Sequence, residues 1–157
     1  IGQSCHLVVV GDGRGLDVQR QENPGQVGFS IKLGAAVDLP SSCSGHVLLA
    51  FASDERQAAL LPDLRQADEA AAQRLTKRFG IVRAQGFEMQ PSARTAGVTD
   101  ISYPIFGFDG QIAAALTVPF LVIIDGSQRV DLEGSRELLR QAAEDISAGM
   151  GWAAPPS

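Results

Sequence analysis

Two cysteines, two histidines, one tryptophan and one tyrosine are all that this 157-residue sequence carries of those types. Cys5 and Cys43 lie far apart with no CxxC partner, which argues against a disulfide framework and leaves two free thiols suited to a reducing cytoplasm. His6, His46, Cys43 and Asp100 are the conceivable metal ligands, yet no two of them stand at a dedicated spacing such as HxxxH. No metal and no cofactor are expected. Basic residues are scarce too, 13 Lys and Arg against 18 Asp and Glu, for a net charge of −5. Phosphate backbones need clustered cations, so this chain by itself is not expected to bind DNA. Long hydrophobic runs are missing. The longest, Ile112 to Ile124, includes Thr117 and Pro119 and still falls well short of the roughly 20 residues of a membrane span. No basic segment precedes an apolar one near the start, so a secretory signal is not expected. The first residue is Ile1 and a strand-like run begins by Cys5, which reads as a fragment whose upstream part is missing.

What the chain does have is the substance of one globular domain, with 45% hydrophobic and 20% charged residues. That domain is expected over residues 1–151, with 152–157 as a tail. Cys5 to Val10 is β-branched and apolar, and Leu16 to Gln21 alternates; the Gly11–Gly15 segment between them reads as a hairpin turn. After Asn23-Pro24-Gly25, alternation from Val27 to Leu33 predicts a third strand. Gly34 to Cys43 is irregular, and Ser42 or Ser44 caps a helix ending near Phe51. A short helix follows from Ser53 to Leu61, and a longer one from Asp68 to Gln85, closed by Gly86. Phe87 to Thr99 shows little pattern. Asp100–Phe106 and Gln111–Val118 are strands joined across Asp109-Gly110, and a last helix runs from about Asp131 to Met150. Its stripe is expected to be Leu132, Leu139, Ala143, Ile146 and Met150. Hairpins and helices in this order predict an α+β fold, an antiparallel sheet flanked by helices. The first strand and the terminal helix are the faces expected for self-association, and Leu16 and Val18 fall on a strand expected at the sheet edge.

Several segments invite chemistry. The Gly11–Gly15 loop has GxGxG spacing and is followed by a strand-like run, whereas a phosphate cradle needs a helix to open there. Cys43 stands near a helix start with His46 three positions on, which makes a cysteine-dependent enzyme a conceivable alternative, although no orienting carboxylate is visible nearby. Asp100 and Ser102 share one strand face, and Thr117 sits among apolar residues in the partner strand. Either this is a solvated outer face, or Ser102 and Thr117 look into a cavity under the Leu39–Gly45 loop. In the second case the small residues Ser41, Ser42, Cys43, Ser44 and Gly45 expose unpaired N–H groups at a helix start to a carboxylate. Leu39, Val98, Ile101 and Leu116 would then supply apolar walls, and Asp100 would point away or take a hydroxyl or amine.

Leu39-Pro40-Ser41-Ser42-Cys43-Ser44-Gly45-His46-Val47-Leu48-Leu49-Ala50-Phe51 resembles the loop-to-helix segment of IclR-type transcriptional regulators. Ile81 to Phe87 is similar to the family's apolar-Arg-x-x-Gly-aromatic helix end, and Gly97 to Phe106 with Asp109-Gly110 to its signature hairpin. Ala113–Val118 and Ala142–Ser147 are similar to the returning strand and the closing helix. The resemblance runs from about Val27 to Met150. It implies a GAF-like, profilin-like fold whose pocket senses a small-molecule effector, a small organic acid or related metabolite, without catalysis. It also implies a winged helix-turn-helix outside this chain that carries DNA contact, homodimers or homotetramers, and a cytoplasmic protein with no membrane partner. A free-standing GAF-like binding module is the other alternative. Two departures bear on the ligand. His46 stands where lysine is common, and Gln90-Pro91-Ser92-Ala93-Arg94 replaces an acidic stretch, so that Arg94 would favour an anion.

Overall fold

β1 (Cys5–Gly11) and β2 (Arg14–Gln21) form the first hairpin of the computed structural model, which describes residues 1–23, 32–62 and 68–154. Asp12 and Gly13 take φ of 49° and 75°, the left-handed pair of a two-residue hairpin turn. The glycine-rich loop therefore joins two strands and opens no helix. A register shift between Leu7 and Val8 sets Asp17 opposite Val8. β3 (Ala36–Val37) pairs with Gly15 and Leu16, so Leu16 is not on the bare edge expected of it, while Val18 lies beyond this pairing and is exposed. Of the expected third strand, residues 27–31 lie outside the described residues, and Leu33 falls in a turn.

Four helices and three more strands complete the described chain: α1 (Cys43–Ala50), α2 (Asp54–Leu60), α3 (Glu69–Gln85), β4 (Glu88–Pro91), β5 (Val98–Phe106), β6 (Ile112–Leu121) and α4 (Leu132–Gly149). Each helix starts on a side chain that accepts from a first-turn N–H: Ser42, Ser53, Asp68 and Asp131. Gly86, at φ 85°, closes α3. The six strands form one antiparallel sheet in the order β3-β2-β1-β6-β5-β4, the α+β layout expected. β4 arises from a segment without visible pattern. Its Glu88 is fully buried, a polar residue where alternation would place an apolar one.

The two sheet faces carry different cores. Val8, Ile112 and Ala115 lie against Val47, Leu48 and Leu49 of α1 and Phe79 and Val82 of α3. Ile101, Tyr103, Ile105, Leu116, Val118 and Phe120 lie against Leu139 and Ala143 of α4. All eight residues of α1 are buried, because it is wedged between the sheet and α3. The stripe on α4 differs from expectation. Ser135, Leu139, Ala143 and Ser147 face inward at a strict four-residue step, while Ile146 and Met150 are exposed. Two serines on the inner face displaced the apolar pattern; Ser147 remains satisfied by donating to the Ala143 carbonyl at 2.7 Å. Among the described residues no helix is long and apolar enough to cross a membrane.

Candidate ligand cavity

On the α1 side of the sheet, β1, β2, β5 and β6 supply the floor of a cavity of about 410 Å³. His6, Asp17, Asp100, Thr117 and Pro119 rise from the strands, and Ser41, Ser42, Cys43 and Ser44 form one wall. Lys32, Ala35, Val37 and Asp38 close a second side, and Ser92, Ala93, Arg94 and Thr95 a third. The volume lies within the range of small-molecule sites.

The entry of α1 is built by local bonds. Ser42 accepts from the N–H of Gly45 at 3.0 Å through its side chain, and its own N–H donates to the Asp38 carbonyl at 3.1 Å. Ser41 donates to the Asp38 carboxylate, and Gln90 donates to the Ser41 carbonyl at 3.1 Å. The N–H groups of Cys43 and Ser44 belong to the first turn and have no acceptor within the helix. Arg94 donates to the Ala36 carbonyl at 3.3 Å, which holds its guanidinium at the rim.

Seven of the residues singled out from the sequence come together here: Ser41, Ser42, Cys43, Ser44, Arg94, Asp100 and Thr117. The other expected wall residues do not line the cavity. Ile101 and Leu116 alternate with residues of the cavity face, so they point to the α4 side. Leu39 packs into the core beneath α1, Val98 is buried, and Gly45 is pressed against Leu39. Ser102 is fully buried on the cavity side of the sheet, where its hydroxyl lies 2.9 Å from that of Thr117. The solvated-face reading of Asp100 and Ser102 therefore fails, since α1 covers this part of the sheet. Because the two hydroxyls satisfy each other, Ser102→Ala and Thr117→Val should each destabilise by about 1 kcal/mol, while the double variant costs clearly less than their sum. Urea unfolding of the four proteins measures this; simple additivity would mean that the hydroxyls are not coupled.

Behind this wall sits a buried charge network that the sequence did not disclose. Arg78 of α3 donates to both carboxylate oxygens of Glu88, at 2.6 Å from Nε and by a shorter bond from Nη2. His46 Nδ1 lies 2.9 Å from Glu88, and its Nε2 donates to the Pro40 carbonyl at 2.9 Å. Burial pushes the Glu88 carboxyl up, but the bonds and charges of His46 and Arg78 outweigh it and hold the group below its ordinary value. Only an acidic residue at a strand position, in a segment read as irregular, could have signalled the network.

Cys43 lies against the same cluster. Its thiol is 3.4 Å from the carbonyls of Glu88 and Asp100, and burial, reinforced by the two carboxylates, pushes it well above the usual thiol value. A thiolate nucleophile is disfavoured there, and His46 is engaged elsewhere. Burial likewise raises Asp100, partly offset by a hydrogen bond from Ser92. Asp17 is pushed up to about 6 by burial, with Arg94 pulling the other way, and burial lowers His6 to about 4.

Residues 1–148 match the family described as bacterial transcriptional regulator IclR C-terminal. Over 162 aligned residues the chain is 25% identical to the HTH-type transcriptional regulator XynR of Escherichia coli K12, covering 98% of this chain and 62% of that protein. The crystal structure of Pseudomonas aeruginosa HmgR superposes with a TM-score of 0.78 at 27% identity, over 97% of this chain and 61% of HmgR. The C-terminal domain of E. coli KdgR shares the fold at a TM-score of 0.74 and 23% identity, over 96% of this chain and 89% of that domain. The chain thus spans about three fifths of the length of XynR and HmgR.

Proposed function

The chain belongs to the IclR family of bacterial transcriptional regulators, of which it is the effector-binding C-terminal domain, and from that premise we propose that a small organic acid is sensed in the cavity at the start of α1. One observation carries the choice of an acid. Cys43 and Ser44, whose first-turn N–H groups have no acceptor within the helix, line the same 410 Å³ cavity as Arg94. A carboxylate at Cys43 and Ser44 gains the N–H donors and the positive end of the helix dipole. The rest of the molecule reaches toward Asp100 and Thr117. Binding shifts the domain between two states by the difference in affinity for each. DNA contact, in this reading, belongs to a helix-turn-helix outside the chain, in keeping with the similarity to XynR, an HTH-type transcriptional regulator, in a cytoplasmic homodimer or homotetramer. The net charge of −5 fits a domain that leaves DNA to another part of the protein.

Native mass spectrometry of the purified chain tests the ligand class. A retained anionic metabolite is expected, and Arg94→Ala should weaken its binding by about tenfold, the loss of one charge-assisted bond. Retention of a neutral compound, unaffected by Arg94→Ala, would overturn the reading.

A further inference from the structure

Among the described residues, two polar atoms on the cavity floor have no hydrogen-bond partner: Oδ1 of Asp17 and Nδ1 of His6. The Asp17 side chain is only 6% exposed and that of His6 12%. Their closest approach, Nε2 to Oδ1, is 3.6 Å, too long for a hydrogen bond. Buried polar groups in folded proteins are nearly always bonded, and an orphan in a cavity wall marks a place where a ligand supplies the missing partner. With the Nε2 proton toward Asp17, both orphan atoms are acceptors. They call for donors.

The other walls narrow the class. Ser44 and Thr95 offer hydroxyls, which both give and accept, while those of Thr117 and Ser92 are already bonded to Ser102 and Asp100. Among the described residues no Phe, Tyr or Trp lines the cavity to stack on a flat ring. Neutral His6, a weak partner for a full cation, suits hydroxyl donors.

We propose that the ligand is a short polyhydroxylated carboxylate, whose hydroxyls donate to Asp17 Oδ1 and His6 Nδ1 while its carboxylate lies at the start of α1 beside Arg94. This rests on the acid-sensing reading above and adds the floor that reads the rest of the molecule.

Calorimetry and thermal shift on the 157-residue chain can test it with glycerate, threonate and gluconate. Each is set against its deoxygenated counterpart, propionate, butyrate or hexanoate, with benzoate and L-serine as further arms. At least one hydroxy acid should bind about tenfold more tightly than its counterpart. Asp17→Asn should lower that affinity by about tenfold and leave the weak binding of the counterpart within about twofold. The ligand-free variant should melt no lower than the parent, because it loses a buried unpaired carboxylate; a merely structural role for Asp17 would lower it. His6→Gln is the second variant and should show the same selective loss. Hexanoate or benzoate equal to gluconate, or hydroxy-acid affinity untouched in both variants, overturns the proposal and leaves acid sensing standing. Serine tighter than glycerate assigns the floor to an ammonium and overturns it as well. If no carboxylate of the panel binds, acid sensing falls and the proposal with it.

Discussion

Gly45→Ala should destabilise the domain by about 3 kcal/mol, lowering its melting temperature by roughly 6–12 °C. A Cβ on Gly45 would stand 2.2 Å from the Leu39 carbonyl oxygen, 2.5 Å from Leu39 Cα and 2.6 Å from Ser42 Oγ. Two of those three atoms are backbone, in a loop pinned by the Ser42 N–H to Asp38 and by His46 to Pro40. The helix cannot retreat either, since all of its residues are buried. Gly80 is the control. It is exposed in the middle of α3, and an added Cβ would meet nothing within 4 Å, so Gly80→Ala should stabilise by roughly 0.5–1 kcal/mol. Equal melting of Gly45→Ala and the parent would refute the close approach between α1 and its entry loop.

Removing the charge of Glu88 is the second severe change. Glu88→Gln leaves Arg78 and His46 facing an amide that can accept from only one of them with full strength. Breaking a buried ion pair from one side typically costs 3–5 kcal/mol; Arg78 is 35% exposed and can rehydrate, so about 3 kcal/mol is expected. The pH dependence has a definite sign. The folded-state pKa of Glu88 lies below its ordinary 4.5, so the folded protein binds fewer protons than the unfolded chain. The stabilisation is therefore complete above about pH 4.5 and fades as the pH falls through the depressed value. Denaturant titrations from neutral to acid pH should show parent and variant converging. A constant gap would mean that the carboxylate is not held ionised by its partners.

The fold was legible where local rules act alone. Asp12-Gly13 and Asp109-Gly110 mark hairpins by their backbone needs, and Ser42, Ser53, Asp68 and Asp131 mark helix starts by theirs. The order of motifs around Leu39–Phe51 and Gly97–Phe106 pointed to the IclR family, which the match over residues 1–148 establishes. The cavity was half legible. Small residues before a helix announced the Ser41–Ser44 wall, and Arg94 stood out as a cation where acids were expected. Leu116 and Ile101 were misplaced because both sheet faces are buried, so period-2 alternation cannot say which face meets the ligand. Asp17 escaped notice, and His6 was weighed only as a metal ligand, for another reason. They lie on the first hairpin, far in sequence from the motif-bearing segments, and only the order β2-β1-β6 brings them beside Thr117. Glu88 was hidden by compensation at a distance, with partners on two different helices.

The complete enclosure of α1 has a consequence for how the domain would answer its ligand. A surface helix can tilt into solvent when its end is tugged, and the disturbance dies there. This one has no free side, so any movement of its first turn must be passed on to Phe79 and Val82, or through the Leu49 carbonyl that Gln57 of α2 holds at 2.9 Å. The same residues that keep the interior dense thereby act as the gearing of the sensor. Variants with altered responsiveness would then be recovered from the middle of α3 as readily as from the cavity, at side chains no effector ever meets.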